Sequence, residues 1–499
     1  MKKHYAIVFF IMCLLQMQAQ TALFNNLGAD VHLMPGAFMI VKADSLHNHA
    51  GSIENGGNLV VEGNIYNDAT LAGRSASPTG LYRIQGDWIN NGITTPFADS
   101  VELYGGNQLI TGTQPSVFHH LILSGTPGSV KAQTIDASVD GNLNLNDHEL
   151  ATDINEMLVL NTATGAIQKA AGPAGFVSSM GPGRLTRATA ATTPYFYPLG
   201  TPSALTGAVF YYRPLEITPV AATSNRYGAR LAHNPLADSF DPDLMNDELC
   251  KVNPLFYHNI YHQSGNANAS IKMFFDGAND GKWTDIGHWK AAVWNYMPTA
   301  SVSANGSFST VEVKNWGDFN PVPFALAAKK ITVDAGPDKE IYPGETTSLD
   351  PVINFPATNI QWMPSYYLDF DNIASPKSTP VENIEYTIFV KNDVGCIATD
   401  KMKISVLPEN LLVPTGFTPN GDGNNDVFRP ANKNLDKIVF QVFNRWGEKV
   451  FETENAEEGW DGAFRGVKQD MGVYVWKAEY KLNGATATKF ASGNVTLVR

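Results

Sequence analysis

Cysteine is almost missing from this 499-residue chain, which holds only Cys13, Cys250 and Cys396. So few thiols exclude a disulfide-built scaffold and a cysteine-rich metal fold. Charge is sparse too, at 17% of residues, and 35 basic side chains face 48 acidic ones for a net charge of −13. An acidic chain without basic clusters is a poor partner for nucleic acid. Long apolar runs are missing: the longest candidate, Ala6–Leu15, has ten residues, too few to cross a bilayer, so no integral membrane span is expected. Catalytic signatures are missing as well, with no G-x-S-x-G elbow, no H-E-x-x-H and no P-loop. An enzyme therefore finds little support.

What the chain does contain is turn chemistry. Gly (43) and Pro (29) are plentiful beside an apolar fraction of 43%, the profile of many short strands joined by turns. An all-β, multidomain fold is expected. The first residues read as an export leader, residues 1–20: Lys2 and Lys3 precede the apolar stretch, and polar Gln16, Gln18 and Gln20 follow it around Ala19 and Ala22. Phe10-Ile11-Met12 lacks the small residue expected before a lipidated Cys13.

Residues 21–174 carry a degenerate repeat of alternating apolar residues, then Gly, then Asn or Asp. Copies include Leu59-Val60-Val61-Glu62-Gly63-Asn64 and Leu81-Tyr82-Arg83-Ile84-Gln85-Gly86-Asp87. Its glycines, Gly63, Gly86, Gly105, Gly125 and Gly141, recur at a period near 20. Short strands with Gly/Asn corners at that period suit a β-solenoid, with exposed Asn and Thr extending ladders along its faces. The competing reading is a sandwich of evenly spaced hairpins. It is less favoured, because no clear hairpin dipeptides separate the copies. Residues 175–328 lose the period but keep strand-like runs such as Tyr211–Ile217 and Ala269–Phe275, which fit an antiparallel β-sandwich.

Residues 329–408 open with Ile331-Thr332-Val333-Asp334-Ala335-Gly336-Pro337-Asp338 and close on Tyr386–Val390 and Lys403–Val406. This segment resembles an immunoglobulin-like module of the PKD type. The resemblance makes Trp362 the core aromatic. Tyr342 stands where such modules often carry a cysteine, which leaves Cys396 a lone thiol. Cys250 falls in a different expected domain, so a bridge between the two is not expected.

Residues 409–499 hold four motifs in order: FTPNGDGNND from Phe417, FNRWGEKVF from Phe443, GWDG from Gly459 and GVYVW from Gly472. The first is too rich in turn formers for helix or ladder, so it is a loop braced by its own side chains. The alternating strands around the others make a small β-sandwich. These motifs closely resemble the gliding-motility-associated C-terminal domain, the type B sorting domain of type IX secretion. The resemblance implies passage through the periplasm to the cell surface or medium, with the translocon and its outer-membrane components as partners. It assigns sorting roles to Phe417, Thr418, Pro419, Asn420, Gly421, Asp422, Gly423, Asn425, Asp426, Asn444, Arg445, Gly447, Trp460, Asp461, Gly462, Gly472 and Tyr474. The cargo is read as adhesive, binding glycans or other surface polymers. The alternative is a polysaccharide-active enzyme, with paired carboxylates such as Asp285 and Glu312.

Several candidate sites have a bland reading beside the functional one. Asp422, Asn424 and Asp426 alternate in a Gly-rich loop and can aim oxygens at a Ca²⁺, or can bond their own backbone as Asx turns. No other cofactor is indicated. Trp460 is a packed ring or a contact for the secretion machinery. His258 and His262 stand four apart, as helical metal ligands do, yet the sequence around them also suits a strand; His47 with His49 and His119 with His120 gain nothing over them. Trp283, Trp289, Trp294 and Tyr296 are core rings or a sugar-stacking platform. Asp276-Gly277-Ala278-Asn279-Asp280-Gly281 is a turn that a cation could also occupy.

Overall fold

The computed structural model describes residues 23–74, 80–96, 98–204, 210–233, 240–319, 323–407, 410–432, 435–482 and 487–499; the expected leader at 1–20 lies outside them. Among the described residues there is no α-helix, only one 3₁₀ turn at Thr164–Ala166. The chain divides into two compact units, Met1–Lys330 and Ile331–Arg499.

The first unit begins as a β-solenoid of about 6 turns. One face stacks Phe38–Val41, Asn58–Val61, Leu81–Ile84, Ser100–Leu103, His120–Leu123, Leu143–Asn144 and Ile167–Gln168, all parallel. In register, Met39, Leu59, Tyr82, Val101, Leu121, Leu143 and Ile167 form one inward column. Each short strand alternates half-exposed and buried residues, so one side chain in two joins the core. The repeat's glycines mark corners where coils nearly touch. A Cβ on Gly105 would overlap the carbonyl oxygen of Gln85, and one on Gly125 that of Tyr104.

The asparagines do more than the sequence suggests. Asn26, Asn48, Asn67 and Asn90 are all buried and in register on adjacent coils. Each Nδ2 donates along the stack: Asn26 to Asn48 Oδ1 at 2.8 Å, Asn48 to Asn67 Oδ1 at 2.9 Å and Asn67 to Asn90 Oδ1 at 2.8 Å. The second N–H of each amide ties a corner carbonyl, as from Asn48 to Thr70 O and from Asn67 to Ile93 O. An amide carries the two N–H donors and the acceptor oxygen that this chain uses. The expectation that Asn ladders run along the exposed faces is corrected: this one is interior. An exposed hydroxyl pair, Thr134 to Thr111 at 2.6 Å, does occupy a face.

Lys131 is another buried polar residue of the solenoid. Its Nζ donates to Gly105 O, Gly106 O and Gln108 Oε1 at 3.0, 2.7 and 2.6 Å, so no carboxylate is among its acceptors. Burial pushes its pKa down from 10.5 to about 8. Between those values the unfolded chain holds a proton that the folded chain has released, so stability rises with pH across that window. We expect the unfolding midpoint to gain on that of a Lys131→Met variant as pH is raised from about 8 to about 10.5. Parallel pH curves for the two proteins would show that the ammonium is not strained by burial.

On its third face the solenoid does not end on an open edge. Its third face, Ser116–Phe118, Ala137–Val139 and Glu156–Val159, pairs in parallel with Arg184–Thr189. That strand then pairs antiparallel with Asn225–His233, and the same sheet runs on through Phe256–Ser264, Pro323–Lys329, Asp285–Lys290 and Val293–Met297. A second antiparallel sheet holds Tyr195–Tyr197, Leu215–Pro219, Ala269–Phe275, Phe308–Trp316 and Thr299–Asn305. Both contribute to the core that fills the coils. Such a continuation covers the unpaired backbone groups a terminal coil would otherwise expose. Buried Arg187 pins the junction, donating to Phe196 O, Ala163 O and Thr164 O at 2.9 to 3.0 Å.

Among the described residues the second unit contains two larger sheets with separate cores, beside three two-stranded pairs. Lys339–Ile341, Ile397–Val406, Ile384–Asn392 and Ala357–Met363 enclose Trp362, Tyr386 and Ile388. Gly416–Phe417, Lys489–Leu497, Gly472–Leu482, Leu435–Phe443 and Lys449–Thr453 enclose Phe417, Phe428, Phe440, Trp460 and Trp476. Cys250 and Cys396 are both disulfide-bonded, which corrects the reading of Cys396 as a lone thiol.

Candidate functional site

The four C-terminal motifs converge on one end of the last sheet. Phe417 enters as a short parallel partner of Leu497, and the loop closes where Thr418 N donates to Asn425 O at 2.8 Å. Inside it, Asp426 accepts the N–H of Gly421 on Oδ1 and that of Gly423 on Oδ2, both at 2.7 Å. Asp422 accepts from Asn424 N at 2.7 Å and from Asn420 Nδ2 at 2.9 Å. These bonds, that from Asn424 first, hold the Asp422 carboxyl below its ordinary range. All four carboxylate oxygens thus accept an N–H, and the bond from Asn424 N to Asp422, two residues back, is an Asx turn. Gly421 and Gly423 have φ of +83° and +86°, a conformation that favours glycine.

The loop rests on the GWDG turn. Pro419 packs so closely on Gly462 that a Cβ there would meet Pro419 Cγ at 3.1 Å. Asp461 Oδ1 accepts Ala463 N, and Gly462 O accepts both Gln469 N and Arg499 Nη2. Trp460 is fully buried: it exchanges both backbone bonds with Phe428, donates from Nε1 to Ala463 O at 2.8 Å, and stands against Phe417 and Tyr474. It offers no surface to a partner, so the contact reading of its ring is corrected. Tyr474, just inside the strand opened by Gly472, donates its hydroxyl to Asp470 O.

The ring that does face outward belongs to the FNRWGEKVF hairpin. Asn444 Oδ1 accepts the N–H of Trp446 and of Glu448, and Gly447 N donates back to Asn444 O. This clamp leaves Trp446 74% exposed, with the Arg445 guanidinium 4.4 Å from its ring centroid and 3.8 Å from Asp470. A shallow depression joins Asn444, Arg445 and Trp446 to the segment from Gln469 to Tyr474. Trp446, Asp470, Met471 and Arg499 were given no role from the sequence, where Trp446 figured only as part of the hairpin connection.

Elsewhere the structure dissolves several candidates. His258 and His262 lie on one strand, Phe256–Ser264, where four residues span about 13 Å, too far for one ion. His258 is buried with Nε2 2.7 Å from Arg213 O, and burial pushes its pKa down to about 4. His262 stacks on Tyr227. His119 pairs with Asp140, while His120 Nδ1 accepts Asn142 N, so those rings serve different partners. Trp283, Trp289 and Trp294 are buried, which corrects their reading as a sugar platform. In the Asp276–Gly281 turn, Asp280 is spent on a bidentate pair with buried Arg213, at 2.5 and 2.6 Å. Asp285 accepts Lys329 N and the Thr284 hydroxyl in one sheet, and Glu312 stands opposite Lys272 in the other. An open cleft of ≈ 750 Å³ lies among Pro173, Phe210, Tyr212, Arg213, Asp276 and Phe308.

No helix among the described residues is long and apolar enough to cross a membrane. No curated protein matches the chain. Among solved structures it is similar to dimeric latent PorU from Porphyromonas gingivalis, at 9% identity and a TM-score of 0.13. That likeness covers 57% of this chain and 31% of the other, so the chain spans under a third of that protein. Residues 411–497 match the family of the CHU_C type IX secretion signal domain, which supports export of the chain by a C-terminal sorting signal to the cell surface or extracellular space.

Proposed function

We propose that this protein is an adhesive surface protein, carried through the periplasm and sent across the outer membrane by residues 409–499. The observation that carries the export reading is the convergence of the four motifs on one end of a sheet with its own core. Trp446, Arg445 and Met471 present the face that the secretion machinery would read. The segment 329–408 then serves as an immunoglobulin-like spacer of the PKD type, and the solenoid with its two attached sheets is the cargo. Surface polymers, glycans among them, are the ligand class. The cleft beside Phe210 and Phe308 supports this reading, because aromatic walls with Asp276 and Asn279 at hand suit a sugar ring.

Truncation at residue 410 tests the address. The shortened chain should keep its folded first unit and stay inside the cell, whereas surface display of the truncated chain would sink the export reading. The cargo is tested with the purified full chain on a panel of insoluble polysaccharides. Retention without new reducing ends supports the adhesin; release of reducing ends overturns it in favour of an enzyme.

A further inference from the structure

We propose that His47, His49 and Asp68 form a divalent transition-metal site, suited to Zn²⁺, on the flank of the solenoid. His47 and His49 are alternate residues of the strand Ser45–Asn55 and so project to the same side. Asp68 follows the next coil's strand, Asn64–Asn67, which is paired in register with that one. The coil period therefore brings together residues some twenty apart in sequence. His47 Nε2 lies 2.9 Å from Asp68 Oδ2, and His49 Nδ1 lies 3.3 Å from the same oxygen. The three ligand atoms all fall within 4.8 Å of one another. Ligands held about 2.1 Å from a tetrahedral ion stand about 3.4 Å apart, so small side-chain shifts complete the set.

The surroundings organise the carboxylate as metal sites do. Asn91, one coil further on, donates Nδ2 to Asp68 Oδ1 at 2.8 Å and so directs Oδ2 at the two imidazoles. The bland reading is a coil-to-coil ion pair, and the solenoid has such pairs: His32 with Glu54, and His119 with Asp140. Those hold one imidazole per carboxylate. Among the described residues, only at Asp68 does a second ring join, its centroid 3.6 Å from the first. Two imidazoles and a carboxylate suit Zn²⁺ or Cu²⁺ better than Ca²⁺, which prefers all-oxygen ligands. All three side chains are partly exposed, leaving an open position for water or a ligand of a partner surface.

The test is zinc alone, added to the purified, chelator-treated full chain and followed by calorimetry. Saturable binding of one equivalent is expected, with affinity falling at least tenfold in His49→Ala and in Asp68→Asn and unchanged in His119→Ala. Cobalt in place of zinc should give a tetrahedral absorption band that His49→Ala abolishes. His49 is the most exposed of the three ligands, so its removal keeps the test independent of folding. Equal zinc binding by the wild type, His49→Ala and Asp68→Asn would overturn the site, as would no saturable binding.

Discussion

Trp460→Ala should strongly destabilise the C-terminal sheet and sharply reduce surface display. Replacing a buried Trp by Ala costs about 3–5 kcal/mol. Here the loss includes the bond to Ala463 O and the ring contacts to Phe417 and Tyr474. A domain of under a hundred residues has a stability of roughly 5–10 kcal/mol, so a large share disappears. Trp446→Ala is the informative partner. Its ring is exposed, and the change should alter stability by no more than about 0.5 kcal/mol. If the machinery reads this face, display should still fall severalfold. The comparison needs near-ultraviolet circular dichroism of both variants and surface labelling of cells. Full display of Trp460→Ala with its sheet melted would mean that the signal is read as a linear string, not as a folded end.

The second large effect is expected in the solenoid, where Asn67→Ala should cost about 3–5 kcal/mol. The variant strands Asn48 Nδ2, Asn90 Oδ1 and Ile93 O, each of which Asn67 now satisfies. A buried polar group left without a partner costs about 1–3 kcal/mol. Asn67→Asp keeps the shape and should fare no better. An ionised carboxylate has no proton to give Asn90, and burying its charge adds a penalty that grows as pH rises through its pKa. Denaturant unfolding of the full chain, followed through the buried Trp88 on the adjacent coil, reads the result. A shift below about 0.5 kcal/mol would show that the ladder is not a source of stability.

The C-terminal loop was legible as a string because its bonds are local. Asp426 reaches Gly421 and Gly423, and Asp422 reaches Asn424, all within five residues. The solenoid period was legible for a related reason, since the close approach of coils admits only glycine at corners such as Gly105 and Gly125. The direction of each face was not. Alternation states that two sides exist without saying which is inside, so ladders were expected of exposed Asn and Thr and the buried Asn column was not foreseen. The density of Trp283, Trp289 and Trp294 was equally silent, because core and platform use the same residues.

By itself, the sequence determined an all-β chain, a coil of about twenty residues and a side-chain-braced C-terminal loop, because steric and hydrogen-bonding demands at turns act on neighbouring residues, and its C-terminal motifs carried the resemblance to a sorting signal. Only the tertiary structure decided that the solenoid's third face runs on into an antiparallel sheet and that Trp446 is exposed while Trp460 is enclosed. It also decided that His47 and His49 meet Asp68. Each of those outcomes depends on atoms brought together across coils and sheets, where contact is governed by distance in space and leaves no spacing rule in the chain.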